Sequence, residues 1–342
     1  MIDPASLNAL RAFRARVYRR LGARRDALFE LLDAATVAGL VPSLAHLSLA
    51  AVHRRGWGSL YDALAVGSLD VPALRAWVGR DPLDDGQPID ALDTSLWART
   101  DAETSPERGY DDSPSRQSAG QPIQAGWSDA WLARVSFPHD GWTAPLDVRR
   151  VPADGDAHAV AAAQIRAVVA ARPAGGPVPL FVFDAGYDPG TLARELAELD
   201  GGRVAVLVRL RADRCFDAAP TQQPKIGRPR RHGATLACRD ERTWWAPTAQ
   251  HAEEHARYGH VRVRAWAGIH ATIQHRPVPG QRRRTWPTLS GTLVLVEVER
   301  LPRRTRIPKR LWLWWRGPGQ PDPAVLWRAD VHRFDLDHTD RF

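Results

Sequence analysis

The run Pro179-Leu180-Phe181-Val182-Phe183 is short and wholly apolar, and it breaks off at Asp184-Ala185-Gly186-Tyr187-Asp188-Pro189. A brief, continuously apolar run bounded by turn residues predicts a strand buried on both faces. The next residues read as a helical segment over 189–199 and then a strand over 203–210 with alternating valines. Strand, helix, strand in that order predicts a partly parallel, buried sheet and an α/β fold. An acid just past the carboxyl end of such a strand stands where open α/β sheets place ligand-binding and catalytic groups. The competing reading of Asp184 is a cap for the helix that begins at Pro189.

Working outward, residues 157–171 form an alanine-rich helix with Val160, Gln164, Val168 and Ala171 spaced for one face, closed by Pro173 and Gly175-Gly176. Upstream, 88–97, 122–137 and 142–151 are strand-like, with turn signals at Ser113-Pro114 and His139-Asp140-Gly141. Downstream, 291–298 and 311–315 are strand candidates and 323–342 is helical, with Val325, Leu326, Val331, Phe334 and Leu336 apolar. Residues 212–290 are rich in Pro, Gly, Arg and Gln and show clear periodicity only over 261–265, which predicts an inserted β-rich or loop-rich module. The first 80 residues predict helices over 26–39, 44–52, 57–66 and 71–78, after a basic helix in which Leu10, Phe13, Val17 and Leu21 recur at helical spacing. The expected organisation is a helical region over 1–80, the first part of a core over 81–211, a basic insertion over 212–290, and the last strands and helix of the core over 291–342.

Charge is unevenly placed. The 342 residues carry 47 Lys+Arg against 39 Asp+Glu, a formal charge of +8, and all but two of the bases, Lys225 and Lys309, are arginine. Arg11, Arg14, Arg16, Arg19, Arg20, Arg24 and Arg25 crowd one short stretch without an acid, and further bases gather over 203–231 and 276–310. Between them, 81–112 holds ten acids against Arg99 and Arg108. Basic surfaces around an acidic island suit a polyanion held beside a divalent cation; ordinary solvated surface charge is the bland alternative. No apolar run approaches the roughly 20 residues that cross a bilayer. Two cysteines, Cys215 and Cys238, argue against a disulfide framework, and together these features predict a cytoplasmic protein.

Three acids can be gathered into one site. Alternation over 89–93 places Ile89, Ala91 and Asp93 on one face and Asp90 on the other, so one of the two acids shares a site with Asp184, and Asp93, near the strand's end, is the better candidate. On the last helix Arg333 and Asp337 are four residues apart and share a face; as an isolated pair they are an ordinary salt bridge. Carboxylates from two strands and a late helix can hold two divalent ions roughly 3.5 to 4 Å apart for phosphoryl transfer.

The motifs that frame these acids are long and ordered. They are Ala91-Leu92-Asp93-Thr94-Ser95, Asp101-Ala102-Glu103-Thr104-Ser105-Pro106-Glu107-Arg108-Gly109-Tyr110, Ser118-Ala119-Gly120-Gln121-Pro122-Ile123, Phe183-Asp184-Ala185-Gly186-Tyr187-Asp188, Gly227-Arg228-Pro229-Arg230-Arg231-His232-Gly233 and Arg333-Phe334-Asp335-Leu336-Asp337-His338-Thr339. With Val52-His53-Arg54-Arg55-Gly56-Trp57-Gly58-Ser59-Leu60 they span nearly the whole chain, and they resemble a family of bacterial insertion-sequence DDE transposases common in actinomycetes. The resemblance implies a ribonuclease H-like mixed sheet with helices, related to the retroviral integrases and interrupted by a β/loop-rich insertion, beside an all-α N-terminal region. It implies Mg2+ (or Mn2+) in a two-metal site, with Asp93, Asp184 and Asp337 as catalytic acids and metal ligands and Arg333 orienting Asp337 or contacting phosphate. Its implied partner is double-stranded DNA, both transposon terminal inverted repeats and target. It also implies a homodimer when active and association with the nucleoid. The alternatives are a metal-dependent DNA endonuclease that does not join ends, or a remnant that only binds DNA. In the family pattern Tyr-x2-Arg-x3-Glu-x6-Lys the third acid is usually Glu; here Asp337 stands in its place, Asp330 replaces the Tyr, and the Lys falls at 344, beyond Phe342. On the resemblance, a copy shortened at its C-terminus is expected.

DNA contact is expected from Arg228, Arg230 and Arg231 in a Gly-Arg-Pro setting and from Arg283, Arg303 and Arg304. Phosphate contact is the stronger reading there, because Ile226 stands where a minor-groove reader has another arginine. Trp314, in the run Leu311-Trp312-Leu313-Trp314-Trp315, is a candidate platform for an unpaired base, although its alternation with leucine also suits strand core. Cys238-x12-His251-x3-His255 reproduces half of a zinc-finger spacing, but Cys215 lies too far away to complete it. Histidines elsewhere show no ligand spacing.

Overall fold

Helical periodicity holds to about residue 80 and gives way to alternation from residue 89, and the chain divides at the same place into two compact units, Met1–Asp81 and Pro82–Phe342. The computed structural model describes residues 3–41, 43–80, 86–101, 104–112, 123–135, 143–199, 202–221, 230, 232–271, 289–301 and 309–339; the side chains of 111, 112, 309 and 337–339 fall outside that description.

Among its described residues the first unit has helices α1 (Pro4–Arg20), α2 (Arg25–Val37), α3 (Leu44–Leu47), α4 (Gly58–Val66) and α5 (Val71–Arg80), with an isolated bridge between Leu21 and Leu69. Asp3 caps α1 by accepting from the Ser6 amide, with Pro4 in the first turn, where its missing N–H costs nothing. Ala34, Leu47 and Leu60 form the small core. Gly67 ends α4, and a Cβ there would meet the Ala63 carbonyl oxygen at 2.1 Å, so only glycine fits. The helix expected over 44–52 stops at Leu47, because the Ser48 hydroxyl donates to the Ala45 carbonyl and competes with continued helix.

Among the described residues the second unit is built on one twelve-stranded sheet. Its elements are β1 (Ile89–Ala98), β2 (Gly109–Asp112), β3 (Ile123–Val135), β4 (Thr143–Val151), α6 (Ala157–Ala171), β5 (Leu180–Phe183), α7 (Pro189–Glu195), β6 (Ala205–Leu210), β7 (Cys215–Ala218), β8 (Thr235–Ala237), β9 (Ala249–His255), β10 (Gly259–Ala271), β11 (Ser290–Val298), β12 (Lys309–Arg316) and α8 (Pro323–Thr339). The strand order is β2-β3-β1-β5-β6-β12-β11-β10-β7-β8, with β4 paired to β3 and β9 to β10. Strands β1, β5 and β6 run parallel and the remaining pairs are antiparallel. The apolar run ending at Phe183 is the central strand β5, buried along its whole length. The segment 212–290 continues this sheet through β7 to β10, joined by β11 and β12 to β6. The mixed sheet with helices is the α/β architecture expected of a ribonuclease H-like core.

Alternation sorts residues onto two faces. Val294, Val296 and Leu313 join Ala91, Val182 and Leu207 in a core closed by Leu326, Trp327, Ala329 and Leu336 of α8. Their neighbours Leu293, Leu295, Trp312 and Trp314 pack on the opposite face with Phe216, Leu236, Cys238 and Trp266. Helix α6 buries Ala161, Ile165 and Val168 against β3 and β4, and its Gln164 amide donates to the Ala130 carbonyl at 3.0 Å.

Candidate active site

Strand register brings the two leading acids together. In the parallel ladder Ala91 pairs with Val182 and Leu92 with Phe183, so Asp93 and Asp184 are the next residues along neighbouring strands. Such strands lie about 4.8 Å apart. Asp93 shares its face with Ala91, the face that α8 covers. Its Oδ2 accepts from Arg333 Nη1 at 3.1 Å and its Oδ1 from the Thr94 amide at 2.8 Å. Arg333, 3 % exposed, comes from the middle of α8, and its guanidinium lies over the Phe334 ring.

Asp184 does not cap the following helix. That role falls to Asp188, whose Oδ1 accepts from the Thr191 amide at 2.9 Å, while Asp184 closes a tight turn by accepting from the Gly186 amide at 2.9 Å. The competing reading of Asp184 is thereby removed. Tyr187 packs on Phe183 and His158, and its hydroxyl sits 2.9 Å from that of Thr94. Burial pushes the Tyr187 phenol well above its ordinary range, and the negative charges of Asp93 and Asp184 add to the shift, as two carboxylates flanking one phenol must.

Asp90 lies on the other face, fully buried, held by Arg134 and by Arg172 Nη2 at 2.6 Å. It is a structural ion, its carboxylate shared by two guanidinium groups inside the protein. Asp330 is used the same way: Arg209 of β6 grips it with two bonds, at 2.6 and 3.2 Å, and fastens α8 to the sheet. Asp337 lies one helical turn beyond Arg333 on α8, and its side chain is outside the described residues. Oxygen donors of the kind offered by Asp93 and Asp184 suit Mg2+ or Mn2+ rather than softer ions.

Among the expected DNA contacts, Arg230 is exposed, whereas Arg228, Arg231, Arg283, Arg303 and Arg304 lie outside the described residues. Trp314 is corrected. It is 3 % exposed and stacked on Phe216 at 5.1 Å, inside the core, so its face is already occupied and no base can reach it. A partly exposed aromatic pair lies instead on β1 and its neighbour β3. Trp97, 56 % exposed, faces its ladder partner Trp127 at 5.5 Å, with Arg99 and Arg150 over the two rings. It follows Asp93 by four residues on the same face of the strand. The alternation used to choose Asp93 also carries to Trp97, and that was the available signal. Cys238, His251 and His255 share no cluster among the described residues: burial in the core pushes the Cys238 thiol up to about 12, His251 pairs with Glu253, and His255 rests on Trp327.

Among the described residues no helix is long and apolar enough to cross a membrane. No curated protein matches the chain. A family model described as DDE superfamily endonuclease matches residues 16–272, a span that includes Asp93 and Asp184 and ends ahead of α8.

Proposed function

The chain belongs to the DDE superfamily endonucleases, enzymes of metal-dependent DNA cleavage, and we propose from that premise that it is a transposase that cuts and rejoins DNA at insertion-sequence ends. The observation that carries the reading is the register of β1 and β5, which aligns Asp93 with Asp184 just past the end of β5, with a buried arginine from α8 bonded to Asp93. Strand β1 itself runs on to Ala98, so Asp93 lies within the strand rather than near its end as the sequence suggested. In this reading Asp93, Asp184 and Asp337 hold Mg2+ or Mn2+. A bound divalent pair supplies activation of the attacking water or 3′-hydroxyl and neutralises charge on the leaving oxygen. Arg333 fixes the Asp93 carboxylate, and the Gly186 amide fixes that of Asp184, so both are oriented before DNA arrives. Tyr187, neutral and buried, braces the neighbouring Thr94 through its hydroxyl.

Basic residues of each unit are available to DNA phosphates. Arg11, Arg16 and Arg19 of the helical region and Arg230 of the 212–290 segment are exposed and suited to phosphates. The Trp97 and Trp127 pair, with its arginines, provides a stacking surface beside the acids. Joining two transposon ends calls for two protomers, so the active form is a homodimer working at the nucleoid.

The test is cleavage of a duplex that carries the terminal inverted repeat, with Mg2+ present or chelated. Metal-dependent nicking and joined products, both lost in a folded Asp184→Ala variant, are expected. Nicking that survives Asp184→Ala overturns the site, nicking without joined products replaces the transposase by an endonuclease, and binding without nicking leaves a DNA-binding remnant.

A further inference from the structure

A second cluster of ligand-type side chains lies far along the sheet from Asp93. Asp217 of β7 and His270 of β10 are direct partners in the antiparallel ladder, and they are 4 % and 3 % exposed. His232 reaches them from the segment ahead of β8. It can do so because Gly233 lies against β7: its amide donates to the Ala218 carbonyl at 2.9 Å, and a Cβ there would meet the Ala219 carbonyl oxygen at 2.6 Å. His232 Nδ1 ends 2.9 Å from His270 Nε2 and 3.1 Å from Asp217 Oδ2. A ligand atom from each of the three residues lies within 4.8 Å of the other two.

In either tautomer one contact stays unsatisfied: a proton on His232 Nδ1 cannot be aimed well at both partners, and a proton on His270 Nε2 donated to Nδ1 leaves Nδ1 with none for the Asp217 carboxylate. A cation at the common point satisfies all three atoms at once. We propose that Asp217, His232 and His270 bind a first-row divalent transition metal, zinc in the first instance, with a fourth position open to solvent beside the exposed His232. Two imidazoles and one carboxylate are a recurrent zinc donor set, with bonds of about 2.0–2.2 Å that place tetrahedral ligand atoms roughly 3.3 Å apart. The two spacings from His232 need to open by only a few tenths of an ångström. The supporting residue is also in place. The Thr235 hydroxyl donates to Asp217 Oδ1 at 2.6 Å, while Oδ2 is the oxygen turned to His232.

This site is distinct from the carboxylate site. Four strands lie between β1 and β10, a separation on the order of 25 Å. Its nitrogen donors favour zinc-like ions, whereas Asp93 and Asp184 offer only oxygen. His232 directly follows Arg228-Pro229-Arg230-Arg231 in sequence, so a metal here anchors the end of that arginine-rich segment to the sheet.

The test is calorimetric titration of the full chain, stripped with chelator, with ZnCl2. One tight equivalent is expected, weakened by about 100-fold or more in His232→Ala and by about 10-fold in Thr235→Val. His232 is exposed, so its loss leaves the circular dichroism unchanged. Co2+ in place of zinc should give visible d–d bands that vanish in His232→Ala and persist in an Asp93→Asn, Asp184→Asn double variant. Absence of a tight equivalent, an equivalent unchanged by His232→Ala and Thr235→Val, or one lost only in the double aspartate variant overturns the proposal without touching the cleavage reading.

Discussion

Asp90 and Asp93 are three residues apart on one strand, and their environments assign them opposite work. Alternation alone told them apart in the sequence, since only one could face Asp184; what it could not show was the pair of arginines, distant in the chain, that neutralises Asp90. Asp90→Asn leaves Arg134 and Arg172 facing each other in the interior, where burial and the neighbouring Arg134 charge already pull the Arg172 guanidinium below its ordinary range. We expect it to destabilise the protein by about 3–5 kcal/mol in urea denaturation. Asp93→Asn should keep the fold and lower cleavage by about 1,000-fold or more; the reverse assignment of damage would exchange their roles. Tyr187 gives a pH signature of the same pocket. Its phenol ionises near 10 when unfolded and well above that when folded. The folded state therefore keeps the proton longer, and the stabilisation is present below pH 10 and lost as pH rises beyond it. Urea midpoints should fall more steeply above pH 10 in the native protein than in Tyr187→Phe, which otherwise costs about 1 kcal/mol for the lost Thr94 contact. Equal slopes would place the phenol in a more open setting.

At the scale of elements, legibility followed burial. Strand β5 and helix α6 were readable because one is buried on both faces and the other on one, which writes a continuous run and a helical stripe into the sequence. Strand β9 was not. It pairs only with β10, buries none of its residues fully, and reads Ala-Gln-His-Ala-Glu-Glu-His, with no apolar period to detect. The metal-type cluster was invisible for a related reason, since Asp217, His232 and His270 meet only through the pairing of β7 with β10. Strand β12 was found with two readings left open for Trp314, base platform or strand core, because aromatic residues serve both, and burial decides for the core. Trp314→Ala removes a buried indole and should cost about 3–5 kcal/mol of stability, with DNA affinity unchanged in the folded fraction. Trp97→Ala should leave the melting temperature within about a degree or two and weaken binding to an end duplex with unpaired bases by about 1–3 kcal/mol, read by fluorescence anisotropy. If Trp314→Ala weakens binding in folded protein while Trp97→Ala does not, the stacking surface has been put on the wrong strand.

Over the whole molecule, the +8 charge resolves into groups with different duties. Of the acidic stretch 81–112, Asp90 is held in the interior by Arg134 and Arg172 and Asp101 pairs with Arg99 at the surface, while Asp93, bonded to Arg333, is aligned with Asp184 by strand register. In the helical unit, Arg14 and Arg24 are ion-paired with Asp33 and Asp62 and Arg16 lies over Trp77, and Arg11, Arg16 and Arg19 are exposed along α1. The switch from helical period to alternation marked the boundary because each unit has its own core, one around Ala34, Leu47 and Leu60 and the other across the sheet. Two separate cores predict two separable folding units. The fragment Pro82–Phe342 should therefore fold alone, with a single cooperative thermal transition. If the α1 arginines contact phosphates, that fragment also loses part of the counterion release. The slope of log affinity against log salt, about −0.9 per phosphate contact, should become shallower by roughly two to three contacts. A triple Arg11→Gln, Arg16→Gln, Arg19→Gln change in the full chain should reproduce that shallower slope, and an unchanged slope would move the phosphate contacts off α1 and onto the sheet unit.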